Sequence, residues 1–137
     1  MHGIHLIGDL HDCRCRPELL LDPVGLQRFC LEACQRNQLT VVGHLFHPFR
    51  DASGGPAGVT GAVVLAESHL AIHTWPEIAT VTLDVYVCNY SGDNSARAHA
   101  LFHDLVAHFQ PARSERLAVK RGHLGQREQV IDDAPVP

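Results

Sequence analysis

Ala66-Glu67-Ser68-His69-Leu70-Ala71-Ile72-His73-Thr74-Trp75-Pro76-Glu77 brings two acids, two hydroxyls, two imidazoles and an indole into twelve residues. Val63-Val64-Leu65 precedes it, and Val81-Thr82-Leu83-Asp84-Val85-Tyr86-Val87-Cys88 follows. β-Branched residues dominate both flanks, and Gly61 and Pro76 punctuate them, which is the signature of buried strands. A polar cluster wedged between buried strands is costly unless its groups are paired. A functional site is the simplest reason for a chain to accept that cost.

The chain upstream reads as follows. Ile4–Leu10 alternates loosely and is a strand. Asp9, His11, Asp12, Cys13 and Cys15 gather around its end, with His2 and His5 nearby. They lack the Cys-x-x-Cys spacing of a structural zinc site, so this region reads as a strand end and a turn with two free thiols. Asp22-Pro23 opens a helix, with an acid at the cap and proline in the first turn. Leu26, Phe29, Cys30 and Ala33 give it one apolar face, and Asn37 ends it. Cys30 and Cys34 fall four apart on one side and read as core residues. Leu39–Phe46 is a second strand, and His47–Gly58 is a loop by its Gly and Pro content. Val59–Leu65 is the third strand.

Downstream, Leu70–His73 is a short strand and Ile78–Cys88 a long one. A turn over Asn89–Ser95 precedes a second helix, for which Asp93 or Asn94 can act as cap. Ala98, Leu101, Phe102, Leu105, Val106 and Phe109 repeat at helical spacing, and the helix stops before Pro111. His99 and His103 lie four apart beside Asp104, but the Glu of His-Glu-x-x-His is missing, so they read as a solvated face. Trp75 reads as core. Leu117–Lys120 is a last strand, and Gln126–Pro137 is expected to fray.

The order β-α-β-β-β-β-α-β predicts an α+β fold: a two-layer sandwich, an antiparallel sheet with helices packed on one face. The 137 residues suit one domain over 1–137. With 45% hydrophobic residues the chain can build a core. A net charge of −4 and the absence of a basic stripe argue against nucleic acid as a partner. No apolar run has membrane-spanning length, and Met1–Leu6 lacks the character of a leader peptide. Five cysteines without a disulfide framework favour a cytoplasmic location.

Three chemistries suit the central stretch. Ser68 with His69 or His73 supplies a nucleophile and a base, but the Gly-x-Ser-x-Gly elbow is absent. Glu67, His69, His73 and Glu77 are metal-capable, yet His69 and His73 on one strand are too far apart to share an ion easily. The third possibility is self-processing, in which Ser68 attacks the backbone at Glu67.

Glu67-Ser68-His69-Leu70, Ile72-His73-Thr74-Trp75-Pro76-Glu77 and Asp84-Val85-Tyr86-Val87-Cys88 together closely resemble the prokaryotic S-adenosylmethionine decarboxylase proenzymes. The resemblance continues through Phe46-His47-Pro48-Phe49, Gly58-Val59-Thr60-Gly61 and the His5-Leu6-Ile7 strand. It implies cleavage between Glu67 and Ser68. The Ser68 hydroxyl converts the Glu67 amide to an ester, and β-elimination then releases the Glu67 carboxylate. Hydrolysis leaves a pyruvoyl group derived from Ser68, on an α chain 68–137 beside a β chain 1–67. This pyruvoyl cofactor serves as an electron sink bound to the substrate amine. His73 matches the processing histidine, and Thr60 stands where a serine aids processing. Cys88 matches the proton donor, a task suited to a thiol. Phe49 and His73 match the pair that sandwiches adenine, Glu77 the acid on the ribose hydroxyls, and Leu70 a residue lining the site. The resemblance implies a small-molecule substrate, a homodimer of αβ units and no metal. The pathway it implies is spermidine synthesis.

Two departures flank the expected pocket: a longer loop between Phe49 and Gly58, and Asn89–Ser95 where a Cys-Gly pair is usual. Relatives of the family decarboxylate arginine or ornithine with the same machinery, and Asp51 and Asp93 are candidate acids for such substrates. Phe49 and Glu77 favour adenosylmethionine. A third class is an uncleaved, non-catalytic homologue acting as a binding subunit; the presence of Ser68, His73 and Cys88 argues against it.

Overall fold

A computed structural model describes residues 2–122. The expected fraying of Gln126–Pro137 therefore lies outside the described residues. In chain order the elements are β1 (Gly3–Cys13), α1 (Glu18–Leu21), α2 (Pro23–Arg36), β2 (Val41–Arg50), β3 (Pro56–Leu65), β4 (Ser68–Trp75), a 3-10 turn (Pro76–Ile78), β5 (Thr80–Cys88), α3 (Ser95–Phe109) and β6 (Pro111–Arg121). The strands form one antiparallel sheet in the order β2-β3-β4-β5-β1-β6. The helices cover one of its faces, as the α+β two-layer reading expects.

Strand alternation divides the sheet into two faces. Leu6 and Leu10 of β1, Val59, Val63 and Leu65 of β3, Leu70 and Ile72 of β4, and Val81, Leu83, Val85 and Val87 of β5 are buried under the helices. From the other layer, α2 contributes Leu26, Cys30, Ala33 and Cys34, and α3 contributes Ala98, Leu101, Phe102, Leu105, Val106 and Phe109. The opposite face of the same strands carries His5, Asp9, Thr60, His73, Thr82 and Asp84, none of them fully buried.

Local chemistry sets the element ends. Asp22 accepts the Val24 N–H at 3.0 Å, so the acid caps α2 and Pro23 opens it. The Asp93 carboxylate accepts the Ser95 N–H at 2.9 Å at the start of α3. The buried Thr74 hydroxyl donates to the Leu20 carbonyl at 2.7 Å and accepts the Val59 N–H at 2.8 Å, which ties α1 over β3 and β4. Phe29 of α2 stacks on His108 of α3 with ring centroids 3.6 Å apart.

Several expectations need correction: β1 is longer than Ile4–Leu10, and β4 spans Ser68–Trp75 rather than Leu70–His73 alone. His47–Gly58 is not one loop: β2 runs on to Arg50 and β3 starts at Pro56. Asp51 closes the remaining turn by accepting from Ser53 N at 2.9 Å, Ser53 Oγ at 2.6 Å and Gly55 N at 2.9 Å. Pro48 is tolerated because β2 is an edge strand. The next strand, β5, begins at Thr80, because Pro76–Ile78 turns and Ala79 takes a left-handed φ of 47°. The last strand, β6, spans Pro111–Arg121, since its whole length pairs with β1. Finally, Trp75 is 45% exposed, and its Nε1 donates to Thr82 Oγ1 at 3.3 Å on the uncovered face.

Candidate active site

The Glu67–Ser68 bond lies in the shortest connection of the sheet. Leu65 of β3 pairs with Ser68 of β4, so Ala66 and Glu67 alone make the turn. The Ala66 N–H donates to the Thr40 carbonyl at 2.9 Å, and the Cys88 N–H donates to the Glu67 carbonyl at 3.1 Å. The Glu67 carboxylate accepts from Asn94 Nδ2 at 3.0 Å and closely from Ser91 Oγ. Asn94 Nδ2 also donates to the Cys88 carbonyl at 3.1 Å. Ser68 faces Val87 on β5, so the buried Cys88 is one residue beyond its cross-strand partner. The Asn89–Ser95 segment thus holds the Glu67 side of the Glu67–Ser68 bond. Sequence reasoning missed Ser91 and Asn94, because nothing local links them to a residue 27 positions earlier.

The far end of β4 carries a different group. Thr60 pairs with His73, and a 3.3 Å hydrogen bond joins Thr60 Oγ1 to His73 Nδ1. Phe49, Ala57, Thr60, His73, Thr74, Trp75 and Glu77 line a cavity of about 290 Å³. This unites Phe49, Thr60, His73 and Glu77 from four separate elements, and Trp75 adds an aromatic wall. A second hollow of about 220 Å³ meets it at His73 and reaches His5, Asp9 and Asp84. Leu70 does not belong to either wall: it is fully buried on the helix-covered face, so its side chain is core and not a pocket contact.

Ser68 and His73 stand five residues apart on one straight strand, or about 17 Å at the usual rise. One chain therefore presents Ser68 and His73 at opposite ends of β4.

The metal-capable residues do not assemble as their sequence proximity suggests. His69 bonds Asp84, His73 bonds Thr60, and Glu67 bonds Ser91 and Asn94. Near the N-terminus, Asp12 pairs with Arg113 at 3.4 Å and His11 lies 3.9 Å from Glu115. Burial pushes the Cys13 and Cys34 thiols up to about 11 and raises Cys15 and Cys30 as well, so these four are poor nucleophiles. His5, His69 and Asp84 do bring three ligand-capable atoms within 4.8 Å of one another. His99 and His103 are exposed on α3, as the reading of a solvated face expects.

Known proteins are similar to this chain in sequence and in architecture. The family model described as S-adenosylmethionine decarboxylase matches residues 4–122. An S-adenosylmethionine decarboxylase proenzyme from Thermodesulfovibrio yellowstonii is 30% identical over 129 residues, covering 94% of this chain and 87% of the relative. The proenzyme from Picrophilus torridus is 34% identical over 131 residues, covering 96% and 92%. The crystal structure of the adenosylmethionine decarboxylase from Aquifex aeolicus superposes with a TM-score of 0.76 at 27% identity, covering 93% of this chain and 96% of that one. The match spans both the β3–β4 turn and the pocket at the other end of β4, and the chain belongs to the S-adenosylmethionine decarboxylase family.

Proposed function

We propose that this protein is a self-processing, pyruvoyl-dependent S-adenosylmethionine decarboxylase that supplies aminopropyl groups for spermidine synthesis. One observation carries the reading beyond family membership. The Glu67 carbonyl, which Ser68 must attack, already accepts the Cys88 N–H at 3.1 Å in a two-residue turn. Addition of Ser68 Oγ to that carbonyl puts negative charge on its oxygen, and a backbone N–H already aimed there stabilises it. The amide C–N bond then breaks, leaving an ester to Ser68 Oγ and a free amine on residue 68. Removal of the Ser68 α-proton expels the Glu67 carboxylate, and His73, with Thr60 on its Nδ1, takes a proton in this elimination. Hydrolysis of the resulting dehydroalanine releases ammonia and completes the group.

A serine at the start of a strand, beside a held carbonyl and a thiol, fits that origin. The pyruvoyl ketone supplies an electron sink for loss of carbon dioxide from an α-amino acid. Cys88, on the strand beside residue 68, returns a proton to the substrate Cα. Phe49 and His73 bind adenine between flat surfaces, and Glu77 accepts from the ribose hydroxyls. Asp51 and Asp93 are engaged in their own turns, which weakens them as the acids for an arginine or ornithine substrate. The single domain works as a homodimer of αβ units. The separation of Ser68 from His73 supports this, because a partner's His73 can complete a site that one chain leaves open.

Intact mass under denaturing conditions is the test. Two chains meeting at Glu67/Ser68, with a pyruvoyl mass replacing serine, are expected. Carbon dioxide release is then compared with adenosylmethionine, arginine and ornithine side by side, and only the first is expected to give product. A chain that stays whole after long incubation would overturn the enzyme reading.

A further inference from the structure

Asp84 sits in the middle of the most apolar strand of the sheet, and the reaction outlined above gives it no task. Its Oδ2 accepts from His5 Nε2 at 2.8 Å and from His69 Nε2 at 3.1 Å. The register explains the symmetry. Tyr86 of β5 pairs with His5 on one side and His69 on the other, and Asp84 lies one repeat along the same face. The Tyr86 ring contacts both imidazoles, at 5.6 Å and 5.7 Å between centroids. From β6, Arg121 lies over the Tyr86 ring at 4.5 Å and donates to His5 Nδ1 at 3.3 Å.

A guanidinium can only donate, so His5 Nδ1 is an acceptor and its proton is on Nε2, pointing at Asp84. That arrangement argues against a metal ion at the three groups. A ligating histidine needs its outer nitrogen to donate to an acceptor, and here the outer nitrogen faces a cation. The cluster is a hydrogen-bonded chain across four strands: Arg121 to His5, His5 to Asp84, and His69 to Asp84. It ends on the residue that follows Ser68.

We propose that Asp84 is a positioning residue that holds His69, and through it the first residues of β4, in register at the cleavage site. The proposal rests on the decarboxylase reading for its consequence: once the chain is cut, residue 68 becomes a strand terminus. Free strand ends fray unless tied down. His69 is the first side chain beyond the cut, and its bond to Asp84 keeps the new terminus beside Cys88. Before cleavage the same bond limits the rotation of the Ser68 backbone relative to the Glu67 carbonyl.

The experiment uses the full chain twice. In a Ser68→Ala background, which stays uncut, amide hydrogen exchange is followed on the peptide spanning Glu67–Leu70. His69→Ala and Asp84→Ala are each expected to speed exchange there by about tenfold or more, with α3 unchanged as a fold control. His69→Gln, whose Nε2–H reaches the same oxygen, is expected to restore protection. Equal exchange in all four chains would overturn the proposal whether or not the parent cleaves. With Ser68 present, His69→Ala is expected to slow cleavage about tenfold and to lower kcat of the processed enzyme with KM little changed; His69→Gln recovers both. Cleavage and kcat at parental values in His69→Ala would also overturn it. A parent that never cuts, with the exchange pattern intact, overturns the decarboxylase reading and leaves the pinning of β4 in place.

Discussion

The two ends of β4 are built from the same strand and do different things. At its start, Ala66 and Glu67 form a tight turn into Ser68 that is held by Cys88, Ser91 and Asn94. At its end, His73 and Trp75 line an aromatic cavity with Phe49, Thr60 and Glu77. In the proposed reading, one end breaks a bond and the other holds a flat ligand. The difference teaches that a strand can carry two polar groupings about 17 Å apart without either disturbing the core between them. Ile72 and Leu70, in the middle, are fully buried on the other face.

The largest expected effect breaks this division directly. Ser68→Ala and His73→Ala should each abolish cleavage, although they lie at opposite ends. If the halves are completed by a partner, co-expressing the two variants should return about a quarter of the sites to cleavage, because half the dimers are mixed and each mixed dimer has one intact site. The mass spectrum of the mixture measures this, and no cleavage would mean that each chain completes its own site.

Next in size, Ile72→Ala should cost about 2–5 kcal/mol of stability, measured by denaturant unfolding, because it leaves a void in a close-packed layer. His73→Ala, the next residue, should leave the unfolding midpoint nearly unchanged. Equal losses at both positions would show that the uncovered face is also load-carrying. A smaller effect separates the two ends by kinetics. Phe49→Ala should raise KM for adenosylmethionine about three- to tenfold through loss of stacking, while the rate of cleavage at Ser68 stays at the parental value. A slowed cleavage would join the two ends that the structure keeps apart.

The smallest effect lies outside β4 and sets the scale for the rest. Burial against Phe29 holds the His108 imidazole below its ordinary value of 6.5. The unfolded chain takes up this proton near pH 6.5, and the folded chain only at lower pH. The contribution is therefore present above about pH 6.5 and is lost as pH falls below it. Unfolding midpoints at about pH 7.5 and 5.5 should fall less in His108→Phe than in the parent. An identical fall would assign the pH dependence to other groups.

The sequence by itself determined the element types, because the information for them is local. Alternation along β5, the helical spacing from Ala98 to Phe109, and the Asp22-Pro23 cap are each complete within a few residues. It also carried the motif from Glu67 to Cys88, since the turn, Ser68 and the following strands are contiguous. Trp75 was misread because strand parity alone does not say which face the helices cover. The length of β2 was misread because the Asp51 turn replaces a loop that Gly and Pro content had suggested.

Only the tertiary structure decided that β1 inserts between β5 and β6, which sets His5 across from Tyr86 and brings Arg121 to the same cluster. Only it joined Asn94 to Glu67, and only it set Ser68 and His73 at opposite ends of one strand. The physical reason is that propensity and turn chemistry act between neighbours in sequence. Pairing of distant strands instead depends on which apolar faces can be buried together, and that is a property of the whole sheet.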